Sequence, residues 1–185
     1  MPKEIETKFK IHSPKEFRSK LKKIAAKFVS KNLEKDIYYK SPSTTCCRNT
    51  IRLRSMGKRG IFTIKSASRN SESLKYKIRN EVELAIDDVK TFRAMLQMLE
   101  FVPQFKKEKI RETYTWKDVK ITLDKLPFIG FYAEIEGPKK TIRQAVRVLD
   151  FDMGKAIPDT YMQLFGYYNI IHKAHERELV FNKKK

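Results

Sequence analysis

The 185-residue sequence predicts an α+β fold in which antiparallel strands close into a barrel with a charged interior, flanked by helices. Three observations predict it. Seven segments alternate with a period of two, the mark of strands whose successive side chains point to opposite faces. Every one of these segments has an apolar face and a charged face, and the charged faces together carry both signs. Carboxylates recur as Glu-x-Glu three times on the charged faces: Glu4/Glu6, Glu81/Glu83 and Glu134/Glu136. An open sheet with one wet face also alternates. Its polar face is ordinarily a mixture of Ser, Thr, Lys, Gln and Glu, whereas paired like charges two residues apart repel and call for nearby cations. Closing the sheet with the charges inside supplies them, provided the interior holds water, metal and a polyanion, since an unpaired buried charge costs several kcal/mol.

The elements follow in order. In Lys3–Phe9, Glu4, Glu6 and Lys8 oppose Ile5, Thr7 and Phe9. Ser13-Pro14-Lys15-Glu16 starts a helix, with Ser13 as cap, Pro14 at the first helical position and Glu16 completing a capping box. Phe17, Leu21, Ile24 and Phe28 continue it at helical spacing. Polar residues make a loop of Ser41–Thr50. In Thr50–Arg54, Arg52 and Arg54 oppose Ile51 and Leu53. In Phe62–Lys65, Thr63 and Lys65 oppose Phe62 and Ile64, and a second polar loop spans Ser66–Ser73. Lys75–Ile86 sets Lys77, Arg79, Glu81 and Glu83 against Tyr76, Ile78, Val82 and Leu84. A helix begins after Asp87 with Phe92, Leu96 and Leu99 on one face. In Lys109–Trp116, Lys109 and Arg111 oppose Ile110, Tyr114 and Trp116. In Val119–Asp124, Thr122 and Asp124 oppose Ile121 and Leu123. In Phe131–Glu136, Tyr132, Glu134 and Glu136 oppose Phe131, Ala133 and Ile135. A third helix carries Ile142, Ala145, Val146 and Leu149, and a fourth runs from about Thr160. No internal repeat is visible. One domain is expected over residues 1–185, with residues 183–185 a frayed basic tail.

Composition narrows the function. Lys and Arg number 41 against 22 Asp and Glu, a net charge of +19 that calls for an anionic partner. The two cysteines, Cys46 and Cys47, are adjacent, which excludes a disulfide scaffold and any Cys/His zinc spacing, and leaves two free thiols in a polar loop. His172 and His175 lack a third metal ligand, and His12 reads as solvated. The start of the chain shows no apolar signal-peptide core, and Thr160–His172, its longest uncharged stretch, is too short for the ~20 residues of a membrane span. The expectation is a cytoplasmic protein with no membrane partner. Trp116 alternates with the apolar face and is expected in the core. Paired carboxylates within a ring of Arg and Lys suit Mg²⁺–phosphate chemistry, because Mg²⁺ takes hard oxygen ligands together with substrate phosphates. No glycine-rich phosphate loop is present, so side chains must hold the phosphates.

Glu4-Ile5-Glu6-Thr7-Lys8 resembles the N-terminal ExExK signature of the CYTH superfamily, the triphosphate tunnel metalloenzymes, which include class IV adenylyl cyclases, thiamine triphosphatases and inorganic triphosphatases. Further landmarks follow in the family's order: Asp36-Ile37-Tyr38, Arg52-Leu53-Arg54, Thr63-Ile64-Lys65, Arg79-Asn80-Glu81-Val82-Glu83, Glu108-Lys109-Ile110-Arg111, Leu123-Asp124, residues 130–136 and Thr160-Tyr161-Met162-Gln163-Leu164. Lys35-Asp36-Ile37-Tyr38 and the compact length look closest to the class IV adenylyl cyclase-like branch. The resemblance implies an eight-stranded antiparallel tunnel. It implies that Glu4, Glu6, Glu81, Asp124, Glu134 and Glu136 bind Mg²⁺ or Mn²⁺. It further implies that Lys8, Arg52, Arg54, Lys65, Arg79, Lys109 and Arg111 hold a triphosphate, and that Tyr38 and Lys65 orient or deprotonate the nucleophile. Three departures stand out: Glu100 where the family often has Gly, Ser66-Ala67-Ser68 in place of a Gly-Pro, and Gln163 in place of Glu.

Two reactions fit that cage. Hydrolysis sends water to a terminal phosphate; cyclisation sends a ribose 3′-hydroxyl to the α-phosphate of ATP. Hydrolysis of inorganic triphosphate, thiamine triphosphate or a nucleoside triphosphate is the favoured expectation, because no residues can be assigned to adenine. A polyphosphate- or RNA-binding protein is the alternative from another class, and a nucleic-acid groove fits the carboxylate pairs poorly. Related cyclases suggest a homodimer.

Overall fold

The computed structural model describes residues 3–43, 49–67 and 76–181. Cys46, Cys47, Ser68, Ser73, Lys75 and the tail at 182–185 lie outside the described residues. Eight strands run in the order β1 (Lys3–Ile11), β2 (Lys27–Lys40), β3 (Thr50–Met56), β4 (Arg59–Ala67), β5 (Lys77–Ile86), β6 (Val102–Trp116), β7 (Val119–Leu126) and β8 (Gly130–Glu136). Helices α1 (Pro14–Lys23), α2 (Val89–Met98), α3 (Lys139–Val148) and α4 (Tyr161–Ile171) are inserted after β1, β5 and β8 and near the end of the chain. The strands close into a barrel in the order β1-β5-β4-β3-β2-β6-β7-β8, and every neighbouring pair is antiparallel. Closure leaves no free sheet edge and creates an inside and an outside.

β2 is the strand that residue pattern alone did not assign. Over Leu33–Tyr39 its charged Glu34 and Asp36 are buried while Leu33 and Lys35 are exposed, so the hydropathy signal is inverted. Phe28 was expected on the first helix, but that helix ends at Lys23 and Phe28 lies on β2, 59% exposed. Leu99 likewise caps α2 and is exposed, with Val89 taking its place in the core beside Leu96. Ser66 and Ala67 extend β4 and do not belong to a loop, and β6 begins seven residues before the expected Lys109.

The helix termini obey local chemistry. Ser13 accepts from the Glu16 amide, Asp88 from those of Lys90 and Thr91, and Thr160 from that of Gln163. Gln163 closes a reciprocal capping box by accepting from the Thr160 amide at 2.8 Å, a role that Gln fills as well as Glu. Helices α1 and α3 cover one outer face of the barrel, burying Phe17, Leu21, Ile142, Ala145, Val146 and Leu149 against Phe9, Ile121, Leu123 and Ile135. Helix α2 covers Tyr39, Ile51, Leu53 and Ile86, and α4 packs with Leu126, Ile129, Tyr132 and Leu179. Each fully buried aliphatic side chain contributes about 1.5–3 kcal/mol.

The topology contains a repeat that the sequence does not display. The unit β1-α1-β2-β3-β4 has the same order as β5-α2-β6-β7-β8, and exchanging the two units reproduces the barrel's strand order. Glu4 pairs with Arg79 and Glu34 with Lys109, and the sequence separation within the two pairs is identical. A pseudo-two-fold axis therefore passes through both pairs. It sets an acidic residue of the first unit against a basic residue of the second, which hides the repeat from composition.

Candidate active site

The barrel encloses a cavity of about 540 Å³. Strand pleat aims alternate residues into it: Glu4, Glu6 and Lys8 from β1; Glu34 and Tyr38 from β2; Arg52 and Arg54 from β3; Lys65 from β4; Lys77, Arg79, Glu81 and Glu83 from β5; Lys107, Lys109 and Arg111 from β6; Lys120 from β7; Glu134 and Glu136 from β8. All the expected site residues thus line one cavity except Asp124. Asp124, on the same inward face of β7 as Lys120, is fully buried beneath the lining side chains, held by Lys109 Nζ at 3.1 Å, by both ends of the Arg111 guanidinium at 2.6 Å and by the Tyr161 hydroxyl at 2.9 Å. The first turn of α4, Thr160–Gln163, also lines the cavity.

Carboxylates and cations interlock. Lys65 Nζ lies 2.6 Å from Glu4 and 2.9 Å from Glu81. Burial alone would lower the Lys65 pKa, but the two carboxylates outweigh it and keep the ammonium above its ordinary value. Burial and the neighbouring Glu4 push Glu81 up to about 7. Glu4 is itself held below its ordinary range, because Lys65 outweighs its burial. Lys8 bonds the Asp159 carbonyl at 2.8 Å and sits 3.4 Å from Glu134. Arg111 bridges Asp124 and Glu134. Burial first, and then Arg111, lower Lys109 to about 8. Arg54 has every guanidinium nitrogen on a carboxylate: Asp36 at 2.8 and 3.0 Å and Glu34 at 2.9 Å. Arg52 reaches Thr63 and Glu83, and its Nε is buried without a partner among the described residues. Arg79 touches Thr50 at 3.5 Å.

Glu34, Lys107 and Tyr161 were missed as site residues. Lys107 donates to the Tyr38 hydroxyl at 2.7 Å and pairs with Asp36 at 3.0 Å. Extending the alternation of Lys109 and Arg111 back two positions would have found it. Counting back from Asp36 would have found Glu34. Tyr161 lies under Lys8, at 4.4 Å from its ring centre, and within 6 Å of Lys107 and Lys109, and no local pattern points a helix residue there.

The donor set fits a hard divalent cation. Glu6 and Glu136 face each other across β1 and β8, and Glu4 and Glu81 share one ammonium and shift apart in acidity. Like charges so placed are stabilised by an intervening cation. Among the described residues no three carboxylates already enclose an ion-sized space. Lys65 and Lys77 lie among them instead, Lys77 at 3.2 Å from Glu6.

The CYTH domain model matches residues 2–150. The chain belongs to the CYTH family. A CYTH chain of this shape has relatives in distant organisms. A Methanocaldococcus jannaschii protein named "Putative adenylate cyclase MJ0240" is 28% identical over 149 residues, covering 80% of this chain and 83% of that one. A Pyrococcus horikoshii OT3 protein, PH1819, superposes with a TM-score of 0.72 at 26% identity over 89% of this chain and 98% of its own. HpAC1 from Hippeastrum, described as an adenylyl cyclase candidate with a dominant triphosphatase activity, superposes with a TM-score of 0.61 at 16% identity over 89% and 95%. At that identity the likeness is one of fold. Among the described residues, no helix is long and apolar enough to cross a membrane.

Proposed function

We propose that this CYTH protein is a divalent-metal-dependent phosphohydrolase that takes a small triphosphate into its tunnel. The observation that carries the reading is the cavity lining. Lysines and arginines from β1, β3, β4, β5 and β6 share one closed space with the carboxylates of β1, β5 and β8. Apart from Tyr38 and Tyr161, Ile61 and Met162 are the only apolar residues among the described lining, so charged partners for phosphate far outnumber apolar surface for a base. Lys8, Arg52, Arg79, Lys109 and Arg111 supply the point charges and planar forks that phosphate oxygens require. Glu4, Glu6, Glu81, Glu134 and Glu136 would hold Mg²⁺ or Mn²⁺, which when bound offsets phosphate charge and polarises a phosphoryl oxygen. Asp124 orients Arg111 and Lys109 from beneath. The Tyr38 hydroxyl, fixed by Lys107, and the Lys65 ammonium are placed to orient a nucleophile.

Cyclisation of ATP is the second reading, favoured by the name of the Methanocaldococcus relative. Tripolyphosphate, thiamine triphosphate and ATP, each with and without Mg²⁺ or Mn²⁺, separate the two when products are resolved by chromatography. Metal-dependent release of inorganic phosphate is expected. Cyclic AMP and pyrophosphate from ATP, with negligible phosphate from the other two substrates, would overturn the assignment.

A further inference from the structure

The +19 surplus does not reside in the tunnel. Ten basic and seven acidic residues line the cavity, and Asp36 and Asp124 lie beneath its lining, so its charge is nearly balanced. Most of the surplus carried by the described residues is therefore outside the tunnel, where the triphosphate reading does not use it.

Five of these outer cations gather in one concave place. A shallow cleft of about 660 Å³ lies between the outer face of α3 and the β6–β7 turn. It is lined by Trp116, Lys117, Lys139, Lys140, Arg143 and Arg147, with Gln144 and Val148, and no carboxylate lines it. Helix α3, KKTIRQAVRV, contains no acidic residue. Lys139, Arg143 and Arg147 recur at i, i+4 and i+8, so cations repeat every ~6 Å along one helix face. Like charges at that spacing destabilise a helix by a few tenths of a kcal/mol per pair. The buried side of α3 is complete without them.

Trp116 was expected in the core. It is half-buried: one side of the ring packs against the core beneath α1 and α3, and the residue also forms a wall of the cleft. The exposed Lys117 ammonium stands 4.5 Å from the ring centre and donates to Gln144 at 2.8 Å. Arg143 is steadied by the Tyr76 hydroxyl at 3.3 Å. An aromatic ring beside a row of cations is the pairing that single-stranded nucleic acid uses, with bases on the ring and phosphates on the row. An anionic membrane fits less well, because the basic surface is a hollow whose apolar lining is limited to Trp116 and Val148, little to enter lipid.

We infer that the α3–Trp116 cleft binds single-stranded nucleic acid, the base displacing the Lys117 ammonium from the Trp116 ring to stack there and the phosphates lying along Lys139, Arg143 and Arg147. This site is on the outer wall and does not depend on the reading of the tunnel.

Trp116 is the chain's only tryptophan, so its fluorescence reports the cleft directly. A twelve-nucleotide oligo(U) titrated at low salt is expected to quench it saturably, and the affinity falls steeply with added salt. The paired substitution Lys140→Glu/Arg147→Glu, both exposed and on the outer face, is expected to weaken binding at least tenfold. Lys58→Glu/Lys90→Glu, an equal charge change beside α2, is expected to weaken it less than threefold. Trp116→Phe, followed by anisotropy of a labelled oligo(U), keeps the test open if the paired variant fails to fold, and a several-fold loss is expected. Equal weakening by both paired variants would reduce the effect to diffuse charge and overturn the proposal. So would equal quenching by heparin, which has no base to stack. Retention on phosphatidylserine vesicles without any response to oligo(U) would reassign the cleft to a membrane.

Discussion

Glu112 shows how a single side chain makes a pH-dependent contribution outside the tunnel. It points outward from β6, where Arg18 of α1 grips it with two bonds of 2.8 and 2.9 Å, and Lys31 and Tyr114 add to the pair. The Arg18 bond first of all lowers its pKa to about 2. A depressed carboxylate stabilises the fold above its unfolded pKa of ~4.3, and that contribution disappears as pH falls toward 2. Glu112→Gln should lower the thermal midpoint at pH 7 by a few degrees and flatten its dependence between pH 4.5 and 2; a variant with the wild-type profile would show the pair to be idle. Inside the barrel the stakes are larger. Asp36 is 1% exposed, and Arg54 and Lys107 together hold its carboxyl well below the usual range despite burial. Arg54→Met leaves the carboxylate half-compensated and should cost about 3–5 kcal/mol in chemical denaturation, more than a phosphate contact alone would explain. Glu6, 13% exposed in the cavity, should tolerate Gln structurally. Glu6→Gln is expected to depress turnover by orders of magnitude with an unchanged midpoint, and excess EDTA should abolish wild-type turnover. Full activity in either case would remove the metal from the proposal.

The elements end in a shared way that residue pattern half reveals. α1, α2 and α3 each run ten residues, and the residue two places beyond each takes a left-handed conformation: Ala25 at φ 57°, Glu100 at φ 59° and Asp150 at φ 56°. The Gly that the family often carries at the position of Glu100 thus has a physical meaning, since only glycine meets a positive φ without steric cost. Ala25→Gly and Glu100→Gly should each raise stability by about 0.5–1 kcal/mol, read from denaturant midpoints. No change would mean that the helix ends relax around the side chain. The start at Ser13 was legible because capping is local, and the structure adds Asp88 and Thr160 as caps whose side chains meet the first free amides. The ends at Phe28 and Leu99 were not, because helical spacing of apolar residues continues past a terminus that backbone geometry has already set.

At the scale of the whole molecule, a two-sided barrel reverses the usual meaning of polarity. Face sorting placed Glu4, Glu6, Lys8, Arg52, Arg54, Lys65, Arg79, Glu81, Lys109, Arg111, Glu134 and Glu136 on charged strand faces, and these side chains do meet in one cavity. Gly60 shows how tightly the wall is built: a β-carbon there would come within 2.3 Å of the Arg54 carbonyl and 2.6 Å of a Val89 methyl. Gly60→Ala should therefore cost several kcal/mol and loosen α2 from the barrel, which amide exchange in α2 would register. The sequence by itself determined which residues share a strand face, where most helices begin, that the charged faces were too rich in paired carboxylates for open solvent, and the family to which the motifs belong. Those features depend on neighbours two to four residues apart. Tertiary structure alone decided that β2 is a strand, that Asp124 is covered by Lys109, Arg111 and Tyr161 within the barrel, that Tyr161 reaches Lys8 from a distant helix, and that two similar units face each other across Glu4–Arg79 and Glu34–Lys109. Each of these depends on pairings between residues far apart in the chain. Such pairings are set by closure of the whole barrel, and in β2 burying Glu34 and Asp36 is favourable only because Arg54, Lys107 and Lys109 arrive from other strands.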